Sequence, residues 1–441
     1  MITGRKNGQS IPGRAAVKKL NKICLPYGQG QILFEAEADQ ILTSRVPSSG
    51  GKNGEALVRE AMARPTDSPR LRELAAGKKK AVIIISDHTR PVPSRDILPA
   101  MLREMREGNP EIEIRLLAAT GCHRAMTAEE LREKLGDEIM EREEILIHDA
   151  FDPERNVRLG TLPSGAELVI DKAAAEADLL AAEGFIEPHF FAGFSGGRKS
   201  VLPGICDRVT VLGNHCGAFI ADPHARTGIL EGNPIQTDMA AAARMAGLAY
   251  IVNVVLDEKK QTAAAFAGDP LAAHEAGTAY LSSFCKVWAE PADIVITTNG
   301  GAPLDQNLYQ CVKGMTAAEA AAREGGVIIL CAEMADGIGG ESFYRSLRDC
   351  ESPRALYEQY CATPQQETIA DQWQSQILAR ILMKHRVILV TRPAMKAVVE
   401  SMKMEYAPTV EEALDLAKKA FEKTPRICVI PDGVSVIVEK R

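Results

Sequence analysis

The chain has 441 residues, 46% of them hydrophobic, and 52 basic against 59 acidic side chains give a formal charge of -7. That length exceeds one ordinary core and fits two domains, while the mild acidity argues against nucleic acid or an anionic membrane as partner, because phosphate binding shows as a basic patch. Ten cysteines run from Cys24 to Cys428 without a C-x-x-C pair and no apolar run reaches transmembrane length, so zinc ribbons, disulfide scaffolds and membrane spans are excluded and reduced thiols in a cytoplasmic protein are expected.

In chain order, residues 1–21 are basic and lack an apolar h-region, and read as a flexible tail. Strand-like patterning covers Ile23 to Leu42, Val46 to Asn53 is a loop, and a helix runs from Glu55 to Ala63. Two strand–loop–helix units follow, with strands at Ala81 to Ile85 and Ile112 to Ala119. The helix from Thr127 to Leu135 carries a capping box, Thr127 with Glu130. A strand at Ile145 to His148 and a hairpin through LGTLPSGAELVI precede the strand Leu179 to Ile186. Beyond it are a helix at Pro234 to Ala246, a strand at Tyr250 to Leu256 and a helix at Asp269 to Trp288. A second series has strands at Ile294 to Thr298, Gly326 to Cys331, Arg386 to Val390, Ile427 to Ile430 and Val434 to Val438, with helices between them. Such alternation predicts two α/β, Rossmann-like domains with parallel-rich sheets, residues 22–290 and 291–441, and a cleft between them. The last strands can pack back on the first domain.

Four loops at predicted strand ends hold most of the unusual polar residues, where ligands bind in open α/β sheets. The first is Asp87-His88-Thr89-Arg90-Pro91. An Asp87 to Arg90 ion pair that stiffens the turn and a functional site are equally open there. The second is Thr120-Gly121-Cys122-His123-Arg124. The third, GFSGGRKS from Gly193 to Ser200, lies between His189 and His215 and departs from the phosphate loop G-x-x-x-x-G-K-[ST], because Arg198 occupies the second glycine's place. A glycine turn with Lys199 still suits one phosphate. The fourth runs from Thr298 to Gly314 and places Tyr309, Gln310 and Lys313 in the first turns of a helix, the last two on one face. Trp373 sits in a polar helical stretch. The histidines His148, His224, His274 and His385 have less polar company and read as core or surface.

Together DHTRP, G-x-H-R, PH-x3-GFSGG-x-K, the Asn214-His215 pair and PLDQNLYQCVKG resemble the nickel-dependent lactate racemase family from about Leu25 to Val438. The resemblance implies an active site between two α/β domains. It also implies nickel and a nickel pincer nucleotide (pyridinium-3,5-bisthiocarboxylic acid mononucleotide) attached to Lys199, with His215 as metal ligand. By the same resemblance His123 and His189 are acid/base residues, and Asp87, His88, Thr89, Arg90, Gln310 and Lys313 contact the cofactor. Arg90, Tyr309, Lys313 and Trp373 contact the substrate, and Gly196 and Gly197 give the cofactor room. The partners implied are a small 2-hydroxy acid and the cofactor-synthesis enzymes.

The residue types suit that chemistry. Removing the carbinol hydrogen as hydride while a base takes the hydroxyl proton yields a flat 2-keto acid, and one base is needed per enantiomer. Histidine titrates close to working pH, and cationic side chains clamp a carboxylate. Two other readings stay open at this point. One is an ATP-dependent phosphate-binding transferase built on GFSGGRKS. The other is a non-catalytic cofactor carrier, which would need Lys199 and His215 but neither acid/base histidine.

Overall fold

Strands that are apolar along their whole length belong in sheets covered on both faces, and the computed structural model places them so. It describes residues 20–441, and residues 1–19, most of the expected tail, lie outside the described residues. The first sheet has the order Thr262–Gly268, Leu248–Leu256, Leu179–Phe185, Lys80–Ser86, Glu113–Ala119 and Glu144–Ile147. Its strands are parallel except for the antiparallel edge pair Leu248–Leu256 with Thr262–Gly268. The second sheet is parallel throughout, in the order Glu405–Ala407, Arg386–Val390, Ala322–Cys331, Ala292–Thr298, Ile427–Ile430 and Gln40–Ile41. Among the described residues no helix is long and apolar enough to cross a membrane.

Register brings the site loops together. Ser86 pairs with Ala119 and Ile84 with Ala182, so the loops after Ser86, Ala119 and Phe185 leave neighbouring strands at the same carboxyl edge. The helix Ala128–Leu135 begins with the expected capping box: Thr127 Oγ1 accepts from Glu130 N–H at 3.2 Å and Glu130 Oε2 from Thr127 N–H at 2.9 Å. That box fixes where the His123 loop must end. In the second sheet, Asn307 caps the helix Leu308–Ala321 by accepting from Gln310 N–H at 3.0 Å.

Four local expectations change. Residues 22–41, expected in the first domain, are built into the second lobe: the hairpin Asn21–Tyr27 with Gly30–Ala36 packs Ile23, Leu25, Phe34 and Ala36 on the outer face of the second sheet, and Gln40–Ile41 joins that sheet's edge. The expected helix at 269–288 stops at Cys285, and Lys286–Ala289 becomes a strand paired with Ile437–Lys440. Thr262–Gly268 is a strand that alanine-rich composition hid, formed because the edge strand beside it offers an unpaired ladder. The last strand begins at Ile437 and packs on the first lobe, where a Cβ at Gly228 would lie 2.7 Å from Ile437. One continuous core runs from Val82, Ile84 and Leu180 under the first sheet to Val295 and Ile328 in the second, so the lobes share an interior.

Candidate active site

Buried Asp87, at the end of the strand Lys80–Ser86, organises the first loop. Its Oδ2 accepts from His123 Nδ1–H at 2.7 Å, and its Oδ1 from Thr89 Oγ1–H at 2.7 Å and Thr89 N–H at 3.1 Å. Burial pushes this carboxyl up, but the bonds from His123 and Thr89 and the charge of Arg90 outweigh it and hold Asp87 below its ordinary value. The carboxylate therefore orients His123 and leaves the exposed Arg90 fork open; the two act on each other only through their fields. With Nδ1–H given to Asp87, the His123 Nε2 lone pair faces outward. His88 turns away, its Nδ1 4.0 Å from Glu130. Beneath the loop, buried Glu183 accepts from Ser94 Oγ at 2.7 Å and lies between Ser86 and Lys134, a support that a lone acid in an apolar strand does not announce.

The Gly-rich turn is shaped by what lies under it. Gly193, Gly196 and Gly197 have φ of 78°, 79° and 54°. A Cβ at Gly196 would stand 2.6 Å from Asn253 Oδ1, and one at Gly197 2.9 Å from the His274 ring. The positive φ and the packing below require glycine at Gly196 and Gly197. Asn253 Oδ1 accepts from Gly197 N–H at 2.7 Å. Arg198 is fully buried; its guanidinium donates to Ala192 O at 2.9 Å and Gly196 O at 3.3 Å, to Gln236, and contacts His274 Nε2 at 2.9 Å. Burial pushes it down to about 9, so it stays charged at neutral pH. Sequence reasoning missed this buried network; the polar Asn253 inside YIVNVVL was its one signal.

The residues above the turn form a ring cluster. His189 lies edge-on to Phe191 at 4.5 Å, Phe191 to His215 at 5.2 Å, and Trp373 of the helix Gln372–Lys384 stands 5.0 Å from His215. The His215 Nδ1–H donates to Val211 O at 2.9 Å, which leaves Nε2 as the free lone pair. Half-buried Lys199 sits over Phe191, its Nζ 5.9 Å from the ring centre. Burial first, then the charges of Arg198, Arg90 and Lys313, press the Lys199 amine well below an ordinary lysine. His189 is pushed well below its usual value by burial and by Lys199, Lys313 and Arg90. Lys313, on the helix Leu308–Ala321 of the second lobe, is pushed down to about 8 by burial and Arg90. Glu187, which sequence reasoning passed over, is the acid whose field reaches both Lys199 and Lys313. Tyr309 hydrogen-bonds Asp371 and packs on Phe343 at 5.4 Å, and half-buried Gln310 lies one turn before Lys313.

These depressed histidines make a prediction for the unloaded protein. Burial pushes His215 and His274 down to about 3. Between about pH 6.5 and 3 the unfolded chain binds protons that the folded chain refuses, so stability is full above pH 6.5 and falls as pH drops. The expected loss is about 1.4 kcal/mol per histidine per pH unit, read by denaturant unfolding at pH 7, 6 and 5. A His274→Gln variant should show a shallower slope.

Residues 27–228 match the family model for the lactate racemase N-terminal domain, and residues 287–438 match that for the lactate racemase C-terminal domain. The chain belongs to the lactate racemase family. It is 49% identical over 421 residues to proteins named lactate racemase from Thermoanaerobacterium thermosaccharolyticum and Lactiplantibacillus plantarum, covering 95% of this chain and 99% of each relative. The solved lactate racemase apoprotein from T. thermosaccharolyticum superposes with a TM-score of 0.92 over 95% of this chain and all of that one. A Thermotoga maritima protein at 20% identity shares the fold, with a TM-score of 0.65 over 88% of this chain and 98% of that one. As a member of the lactate racemase family the chain is an isomerase with a mixed α/β fold.

The side chains present fit the group that the family resemblance implies. His215 would offer such a group its free Nε2 lone pair, and the Lys199 amine, pressed toward its neutral form over the Phe191 ring, would offer it a nucleophile.

Proposed function

We propose that this protein racemises a 2-hydroxy acid, lactate being the default, with a nickel pincer nucleotide tethered to Lys199 and its nickel ligated by Nε2 of His215. The observation that carries the reading is the convergence of His189, Lys199 and His215 with Arg90 and Lys313 on one edge, beside a His123 ring oriented by buried Asp87. When bound, the cofactor accepts and returns the carbinol hydrogen. Everything else falls to the chain.

Arg90 and Lys313 hold the substrate carboxylate from opposite lobes, and this fixes the carbinol carbon. His123 takes the hydroxyl proton at Nε2 while Asp87 stabilises the positive ring that results. The product of that half-reaction is a flat 2-keto acid, open to reduction from either face. His189 serves the other face. Its Nδ1 accepts from Ala192 N–H at 3.2 Å, so the neutral ring carries its proton on Nε2. In the resting state the two neutral rings therefore differ in tautomer, His123 presenting a lone pair at Nε2 and His189 an N–H. Tyr309 and Trp373 border the side-chain end of the substrate, and the cofactor-synthesis enzymes are the partners that load the protein.

Co-expression with the cofactor-making enzymes tests this reading. Intact mass should show one adduct, mapped to Lys199, and metal analysis about one nickel per chain. Chiral separation after incubation with a panel of 2-hydroxy acids then assigns the substrate. A bare, metal-free chain that consumes ATP under those conditions would point to a phosphate-binding transferase instead. The buried Arg198 side chain opposes that outcome, because it fills the position where a nucleotide loop needs glycine.

A further inference from the structure

His215 lies at a corner between two short helices of the first lobe, Arg208–Asn214 and Gly217–Ala221. Besides the first-lobe bonds of Asn214 to Ile235 O and His215 to Val211 O, two hydrogen bonds to this corner come from the second lobe. Gln365 Nε2 donates to Gly213 O at 3.0 Å, two residues before the histidine, and Gln376 Nε2 donates to Gly217 O at 2.8 Å, two residues after it. The first of these carbonyls is in the last turn of its helix, where no intrahelical donor remains. Gly217 is pressed so closely on the helix Pro353–Ala362 that a Cβ would stand 1.9 Å from Tyr360 O. Between the glutamines, Trp373 sets its ring 5.0 Å from His215.

The amides on the helix Gln372–Lys384 are costly to keep. Gln372, Gln374 and Gln376 are all buried, and Gln372 Nε2 and Gln376 Oε1 have no partner; an unpaired buried amide is unfavourable. Apolar side chains of similar volume would pack there without that penalty. We propose that Gln365 and Gln376 are positioning residues for the metal ligand, two amide clamps from the second lobe that hold the carbonyls on either side of His215. This rests on His215 being the nickel ligand. The bond from Nδ1 to Val211 O sets the ring's rotation, and the clamps set the backbone from which the ring projects. Together they hold Nε2 in place against a metal that takes only this one ligand from the chain.

The test uses full-length protein loaded by co-expression with the cofactor-making enzymes. Nickel remaining is followed by metal analysis during incubation with excess chelator, for the parent, Gln376→Met, Gln365→Ala and the double variant. Intact mass reports the adduct on Lys199, and melting of the unloaded proteins reports the fold. Outer contacts to a metal ligand are worth about 10- to 100-fold in affinity, so each variant should release nickel at least about tenfold faster with the adduct intact, and the double variant faster still. A folded variant that releases nickel within about threefold of the parent, or that loses adduct and nickel together, overturns the inference. Should Gln376→Met not fold, Gln365→Ala at its half-buried position decides alone. A His215→Ala control separates the two levels: it must lose nickel and keep the adduct. If it keeps nickel, the ligand assignment fails and the clamps with it; if it loses nickel while the glutamine variants hold theirs, only the clamps fail.

Discussion

Alanine in place of Lys199 should yield a folded protein whose mass is that of the bare polypeptide and whose interconversion of 2-hydroxy acids falls by more than about 10⁴-fold, because no side chain replaces the chemistry a cofactor carries. The physical case is the amine's environment. Burial and the charges of Arg198, Arg90 and Lys313 favour its neutral form, and the neutral amine is the nucleophile that a covalent tether requires. Lys199→Arg should fail equally, since a guanidinium keeps its charge and does not attack. Intact mass after co-expression with the cofactor-making enzymes decides both variants, with melting to confirm the fold. An adduct that persists on the alanine variant would place the tether elsewhere.

The second large effect is expected at the Asp87–His123 pair. His123→Ala should lower kcat by about 10²- to 10⁴-fold, the usual range for a general acid or base, with nickel content and adduct mass unchanged. Asp87→Asn keeps a hydrogen-bond acceptor 2.7 Å from Nδ1 but removes the negative charge that balances the ring as it gains a proton. It should therefore reduce kcat with little change in KM, the signature of a contact that strengthens in the transition state. Steady-state kinetics from each enantiomer, with metal analysis on the same samples, reads both. Nickel loss from His123→Ala, or an effect confined to KM, would remove His123 from the acid/base role.

Local patterning and the structure agree wherever one segment carries enough information alone. The run AVIII needs cover on both faces and becomes a central strand; Thr127 and Glu130 satisfy each other's backbone within four residues and start a helix where expected. The polar loops could be placed because they follow such strands. Thr262–Gly268 could not be placed, since an alanine-rich segment takes the form its neighbour's open edge offers; strand-like patterning does reach Gln40–Ile41, but not the sheet it joins, because its partner Cys428–Val429 lies almost four hundred residues away.

At the site, the order of residues along the chain was enough to read which chemical groups are present, how their loops succeed one another, and a resemblance that suggests roles for His123, His189, Lys199 and His215. Tertiary structure alone decided how they are set. It tied Asp87 to His123 and left Arg90 open. It also put Arg198 beneath the glycine turn with no carboxylate among its hydrogen-bond partners, and brought Trp373, Gln365 and Gln376 from the second lobe against the corner that carries His215. The reason is the range of the forces: strand patterning and helix caps act over a few residues, whereas burial, charge and hydrogen bonding between lobes depend on distances that no local pattern encodes.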